Sequence, residues 1–264
     1  MKDAQGREIK YLRVSVTDRC NLRCKYCMPN GIECVEHKDI LSFEEIRQIA
    51  VCGARLGITK IRLTGGEPLA RKGCPELIHM LKEIPGIEKI AMTTNGTLVR
   101  AILPELVEAG LDEINISLDT LDAGTFAAIT GQDLLPEVLL AIDAALAAGL
   151  KVKVNAVSMP DTDWKRLIML AKDKPVDVRF IELMPIGEGR HSEGRSNEEL
   201  LEEIRSEFPQ LQADGSVHGA GGVLQDSGIS GKHRTHKCYA RKVLQLLQPG
   251  TTDFNRIFED LSLL

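Results

Sequence analysis

Aromatic side chains are scarce, at 4% of 264 residues with one Trp, three Tyr and six Phe. The core must therefore be aliphatic, and there is no stacking platform for single-stranded nucleic acid. No apolar run approaches the roughly 18 residues of a membrane span. The opening Met1-Lys2-Asp3-Ala4-Gln5-Gly6-Arg7-Glu8 has no apolar signal-peptide segment. An excess of positive charge is missing as well: the formal net charge is −5, which argues against non-specific nucleic-acid binding. The seven cysteines are odd in number and three crowd into one stretch, so they do not read as a disulfide framework. His37, His79, His191, His218, His233 and His236 show no H-x3-H metal spacing and read as incidental. These absences point to a cytoplasmic protein without membrane or nucleic-acid partners. The 43% apolar fraction is enough for a substantial core, and an anionic substrate would need a local cluster of cations.

What is present centres on Thr17-Asp18-Arg19-Cys20-Asn21-Leu22-Arg23-Cys24-Lys25-Tyr26-Cys27-Met28-Pro29, directly after the strand-like Tyr11-Leu12-Arg13-Val14-Ser15-Val16. Cys20, Cys24 and Cys27 stand in a C-x3-C-x2-C spacing, which a loop leaving a strand can wrap around one metal centre. Iron–sulfur clusters are normally held by four thiolates, so three leave one iron of a four-iron cluster open to a substrate or cofactor. Structural zinc with Cys34 as a fourth ligand, or three plain core thiols, are the alternatives. The usual zinc signature is two C-x2-C pairs or a Cys/His pair.

Beyond that loop the chain alternates strand and helix. Ser42 and Glu45 form a capping box before a helix from Phe43 that stops at Gly57. Further strands are expected at Thr59 to Thr64, Lys89 to Thr93, Glu113 to Leu118, Lys151 to Val157 and Val176 to Glu182. Helices are expected at Pro75 to Ile84, Leu98 to Ala109, Leu135 to Ala148 and Asp161 to Lys172. Cys52 falls inside the first helix and reads as a core thiol; Cys34 and Cys74 read as loop residues. Six βα repeats predict a parallel sheet with right-handed crossovers, an open or closed barrel, whose active site lies at the carboxyl ends of the strands. Gly65-Gly66-Glu67-Pro68, Thr93-Thr94-Asn95-Gly96 and Ser117-Leu118-Asp119 fall at such ends. The glycine pair lets backbone approach a ligand closely, although alone it reads better as a plain strand-to-helix turn. Arg13, Arg62, Arg71, Lys153 and Arg179 occupy strands or strand ends, where an inward cation is costly unless paired.

The cysteine loop, with Tyr26 before the third cysteine, resembles the signature of the radical S-adenosylmethionine (SAM) enzymes. The text from about Gly6 to about Phe208 resembles more narrowly the GTP 3′,8-cyclase family that opens molybdenum-cofactor (molybdopterin) biosynthesis. The resemblance implies an α/β fold, a partial (βα)6 TIM-like barrel over 1–210; residues 211–264 read instead as an irregular, aberrant segment in place of the family's second-cluster region. It implies a 4Fe-4S cluster on Cys20, Cys24 and Cys27. S-adenosyl-L-methionine would be held by Tyr26, Gly66, Glu67, Ser117 and Met184, with Glu67 in the motif that takes its amino group. GTP would be held by Arg13, Arg62, Thr93 and Lys153. Arginine suits bidentate recognition of phosphate oxygens. The reaction implied is reductive cleavage of SAM to a 5′-deoxyadenosyl radical, hydrogen abstraction from C3′ of GTP and attack of that carbon on C8. Implied partners are a reductant such as flavodoxin or ferredoxin and a downstream pterin-forming enzyme; a homodimer is left open.

The tail departs from this family. A second 4Fe-4S cluster is expected there, on C-x2-C-N-R with a third cysteine further on, yet Cys238 stands alone and residues Gly219 to Leu264 show no βα periodicity. A shifted frame accounts for this. Codons chosen for Val223 to Ile229 spell YYRIPGF one base forward, those for Val243 to Thr252 are compatible with FCSxCNRVRL, and those for Ile257 to Ser262 with FLKTCL. All three are family-like and in the family's order. This is compatibility under chosen codons, and it implies a single frameshift near His218 to Gly222 by mutation, slippage or sequencing error. As written, the chain is expected to keep SAM binding, to lose most GTP cyclisation, and to carry a poorly ordered tail.

Overall fold

The structure, a computed structural model, describes residues 8–31, 35–36, 39–184, 187–209, 211–213, 223–226 and 244–247. Cys34, His37, His218, His233, His236, Cys238 and the frameshift point expected near 218–222 lie outside the described residues. The chain divides into two compact units, one from Met1–Leu118 with Asp122–Lys153, the other from Asp119–Leu121 with Val154–Leu264.

The first unit contains β1 (Tyr11–Ser15), α1 (Phe43–Arg55), β2 (Lys60–Thr64), a 3-10 turn at Pro68–Ala70, α2 (Cys74–Lys82), β3 (Lys89–Thr94), α3 (Val99–Glu108), β4 (Glu113–Ser117), α4 (Ala123–Thr130), α5 (Leu135–Ala147) and the start of β5 (Lys151–Ser158). β1, β2, β3 and β4 pair in parallel in that order. Arg13 sits opposite Arg62, Arg62 opposite Ala91, Ala91 opposite Glu113, and Thr93 opposite Asn115. Because side chains alternate along a strand, this register sorts each strand into two faces. Ile61, Leu63, Ile90, Met92, Ile114 and Ile116 form one face and are completely buried, each stabilising the fold by roughly 1.5–3 kcal/mol. The opposite face carries Arg13, Arg62, Thr93, Glu113, Asn115 and, on β5, Lys153.

The second unit holds the rest of β5, α6 (Trp164–Asp173), β6 (Asp177–Glu182), a 3-10 turn at Gly187–His191, α7 (Asn197–Glu207), β7 (Leu211–Ala213), β8 (Val223–Asp226) and β9 (Leu244–Leu247). β9 pairs in parallel with β6 and antiparallel with β8, which pairs antiparallel with β7. Where an irregular tail was expected, these three short strands extend the ladder from β6. The edge of β6 beyond β5 would, if left open, be a template for any extended segment, and its pairing with β9 is a long-range effect that local periodicity does not report. Trp164 and Phe208 pack edge to face with centroids 6.2 Å apart, tying α6 to the end of α7.

The capping box at α1 is formed as expected. Glu45 N donates to Ser42 Oγ at 3.2 Å, and Ser42 N donates to Glu45 Oε2 at 2.7 Å. Two helices were not expected from the sequence. α4 is capped by Asp122, which accepts from Thr125 N at 2.8 Å, and α7 opens on a second capping box, Ser196 with Glu199. Cys52 is exposed rather than a core thiol: α1 buries Ile46 and Ala50, and two residues beyond Ala50 the helix has turned about 200°. Cys74 is not a loop residue but the buried first residue of α2.

Candidate active site

The cysteine loop is held on three sides. Arg23 N donates to Thr130 O at 2.9 Å and Lys25 N to Ile129 O at 3.0 Å, stitching the loop to the end of α4. Gln132 Nε2 adds a bond to Asn21 O at 2.9 Å. Gly66 N donates to Thr17 O and Glu67 N to Arg19 O, both at 2.7 Å. A Cβ on Gly65 would run into Thr17 O, and one on Gly66 into the carbonyl oxygens of Asp18 and Arg19. Gly65 also has φ +145, which disfavours any side chain. The close approach these glycines allow is therefore to the cysteine loop's own backbone. Arg71 serves as a brace: its guanidinium donates to Val16 O at 2.7 Å and Leu41 O at 2.8 Å, and lies 4.2 Å from the Phe43 ring centroid.

Glu67 is turned inward and only 1% exposed. Its Oε1 accepts from Thr94 Oγ1 at 2.7 Å and Leu69 N at 3.1 Å, and its Oε2 from Asn95 N at 2.7 Å. Burial pushes the carboxyl up, against the downward pull of these three donors, Asn95 first. Burial also pushes the Cys74 thiol up to about 12, with the Glu67 charge adding to it.

None of Cys20, Cys24 and Cys27 on this loop is in a disulfide; the first two are partly buried and Cys27 is exposed. Although Cys27 as a whole residue is exposed, its thiol is partly enclosed, and that burial first and the charge of Cys20 second raise it. Among the described residues no three His, Cys, Asp or Glu side chains converge into a metal cage. The fit to an iron–sulfur cluster lies in donor chemistry: three soft thiols within eight residues, on a loop whose ends are pinned. Cys20 Sγ already accepts from Leu22 N at 3.4 Å and from Asn95 Nδ2 at 3.8 Å. Tyr26 lies within the same loop and Ser117 ends β4, both partly buried. Met184 is an exposed residue just past β6 in the second unit.

The polar face of the first unit gathers the expected cations. Arg13 and Arg62 are register neighbours, and the Arg62 guanidinium stands 5.6 Å from the Tyr11 ring centroid. Lys153, 6% exposed, approaches Glu113 Oε2 at 3.3 Å. Lys60 reaches the same oxygen at 2.7 Å, and Lys89 reaches Oε1 at 3.8 Å. Burial would raise the Glu113 carboxyl, but Lys60 and Lys153 overcome it and hold it at about 2. Arg62 Nε, Thr93 Oγ1 and both amide atoms of Asn115 are buried with no hydrogen-bond partner. Such orphaned groups cost roughly 1–3 kcal/mol each, which suits a face made to meet a polar ligand. Glu113 and Asn21 were not singled out from the sequence, and Asn95 only as part of Thr93-Thr94-Asn95-Gly96 at a strand end, with no role of its own; a carboxylate opening a strand otherwise lined by cations was the available signal for Glu113.

The model of the radical SAM superfamily matches residues 14–173. A GTP 3′,8-cyclase of Clostridium perfringens (strain 13 / Type A) is 45% identical over 239 residues, covering 88% of this chain and 74% of that protein. The chain belongs to the radical SAM superfamily, in its GTP 3′,8-cyclase family. Another member, from Heliobacterium modesticaldum, is 42% identical over 267 residues, covering 95% of this chain and 81% of that one. Among solved structures, Streptococcus suis SuiB bound to S-adenosylmethionine superposes with a TM-score of 0.63 at 18% identity, over 75% of this chain and 48% of that chain. Methylornithine synthase (PylB) gives 0.59 at 20% identity, covering 75% and 62%. The chain thus spans from about half to about three fifths of these two solved chains, which share the radical SAM fold with it. It is an α/β protein of the TIM-like radical SAM type, with parallel strands and alternating helices.

Proposed function

We propose that the chain acts as a radical SAM GTP 3′,8-cyclase in molybdenum-cofactor biosynthesis. The observation that carries the reading is the cation-lined polar face, with its orphaned donors and acceptors, in the same unit as the cysteine loop. That pairing suits a polyphosphate substrate presented to radical chemistry. Cys20, Cys24 and Cys27 would hold a 4Fe-4S cluster. With S-adenosyl-L-methionine it supplies the one-electron cleavage that generates a 5′-deoxyadenosyl radical.

The residues of the chain do the positioning. Gly65 and Gly66 seat the cysteine loop against the end of β2, and Glu67, its carboxylate engaged by Leu69, Thr94 and Asn95, fixes that turn. Tyr26, Gly66, Glu67, Ser117 and Met184 belong to the SAM side of the site, Glu67 through its place in the turn. Arg13, Arg62 and Lys153 bind phosphate oxygens, and Thr93 contacts the nucleotide. We read residues 1–210 as the radical SAM domain and 211–264 as standing in place of the region that carries the family's second cluster. A cytoplasmic reductant such as flavodoxin or ferredoxin and a pterin-forming enzyme complete the reading.

The test is anaerobic reconstitution with iron and sulfide, followed by SAM, GTP and dithionite. A brown protein that forms 5′-deoxyadenosine and a nucleotide with a new C3′–C8 bond supports the reading. The absence of a C-x2-C-N-R motif from the sequence favours one other outcome, 5′-deoxyadenosine without cyclised nucleotide, which would mark a chain that cleaves SAM only. Cleavage stimulated by a peptide and not by GTP would point to another substrate, and a colourless zinc protein would overturn the enzyme reading.

A further inference from the structure

Asn95, immediately after β3, has every polar atom of its side chain committed. Its Oδ1 accepts from Thr97 N at 3.0 Å and Thr97 Oγ1 at 2.7 Å, and this fixes which end of the amide is oxygen. The Nδ2 then donates one hydrogen to Asn21 Oδ1 at 2.8 Å and the other to Cys20 Sγ at 3.8 Å. Asn21 closes the ring by donating from its own Nδ2 to Thr97 Oγ1 at 2.9 Å. The backbone N–H of Asn95 is tied in turn to Glu67. A side chain this constrained holds its N–H dipole on one sulfur and cannot swing away.

We propose that Asn95 is a positioning and redox-tuning residue for the cluster held by Cys20, Cys24 and Cys27. Hydrogen bonds to ligating sulfurs are among the levers that set an iron–sulfur potential. An N–H aimed at Cys20 Sγ stabilises the more electron-rich, reduced state more than the oxidised one, and so raises the potential. Since the backbone N–H of Asn95 is bonded to Glu67 while its side chain reaches Cys20 and Asn21, this one residue couples the Gly65-Gly66-Glu67 turn to the cluster loop. The inference rests on the radical SAM reading above.

The experiment is an EPR-monitored redox titration of the full chain, loaded with iron and sulfide, without SAM or GTP. Three variants are compared with the parent. Asn95→Leu removes the donor at similar size. Asn95→Asp keeps an oxygen for Thr97 but places a carboxylate oxygen near the sulfur. Asn21→Leu breaks the ring while leaving Thr97 to orient Asn95. Both Asn95 variants should titrate at a lower potential than the parent at equal iron and sulfide content, and Asn21→Leu should stay near the parent value. The proposal is overturned if the Asn95 variants titrate with the parent, or if Asn21→Leu shifts as far as Asn95→Leu, since that would report general loosening of the loop. A parent chain that takes up no cluster sinks the radical SAM assignment together with this inference.

Discussion

Glu113 is a residue whose ionisation is bound to the fold. Its folded carboxyl titrates at about 2, below the ordinary 4.5, so its stabilising contribution is fully present above pH 4.5 and is lost as pH falls towards 2. The loss amounts to at most about 3 kcal/mol. Urea midpoints followed from pH 5 to pH 2 should fall less steeply in Glu113→Gln than in the parent; parallel curves would show that Lys60 and Lys153 do not hold the charge. Glu67 presents a different chemistry, a carboxylate receiving three donors in a buried site. Glu67→Gln places an NH2 where one oxygen accepts, leaving donor facing donor, and should cost about 1–3 kcal/mol in a urea titration. At Gly66 the constraint is steric. Gly66→Ala puts a methyl into the carbonyls of Asp18 and Arg19, so the loop must shift, and iron bound per chain after reconstitution should drop while far-UV dichroism is kept.

At the scale of elements, a side chain that caps its own helix is a local signal of where the helix starts, though α4 and α7, capped by Asp122 and Ser196, were not expected from it. Ser42 with Glu45 announced α1, and Ser42→Ala should lower stability by about 1 kcal/mol, measured as a urea midpoint shift with unchanged slope. The same Ser-x-x-Glu pattern at Ser196 and Glu199 was equally present and marks α7. α4 was harder, because Ala123–Thr130 has little amphipathic contrast and is identified chiefly by Asp122 and by Gly131 with φ 79. It matters to the site because its last residues accept hydrogen bonds from Arg23 and Lys25 of the cysteine loop. Phe126, whose carbonyl accepts from Thr130 Oγ1 at 2.8 Å, is buried at 3% exposure. Phe126→Ala should destabilise by about 3–5 kcal/mol, and proteolysis within residues 23–31 should accelerate with it. Unchanged cleavage there would separate α4 from the loop's order.

For the whole molecule, among the described residues no single helix is long and apolar enough to cross a membrane. The alternation of strand and helix from β1 to β6 was legible because apolar runs at period two and at helical spacing are local properties of the chain. The cysteine spacing was legible for the same reason: three thiols within eight residues are close whatever the fold. β7, β8 and β9 were not legible, since their pairing depends on an open strand edge supplied by β6, far away in sequence. The sequence by itself determined the parallel α/β architecture, the loop of thiols and the excess of cations on β1, β2 and β5. Only the tertiary structure decided what those residues do to one another. Register placed Arg13, Arg62 and Glu113 on a single face, and the Gly65-Gly66 turn folded onto the cysteine loop. Glu67 turned inward, and Asn95 came to aim its amide at Cys20, because the ends of strands distant in sequence meet only when the sheet is assembled.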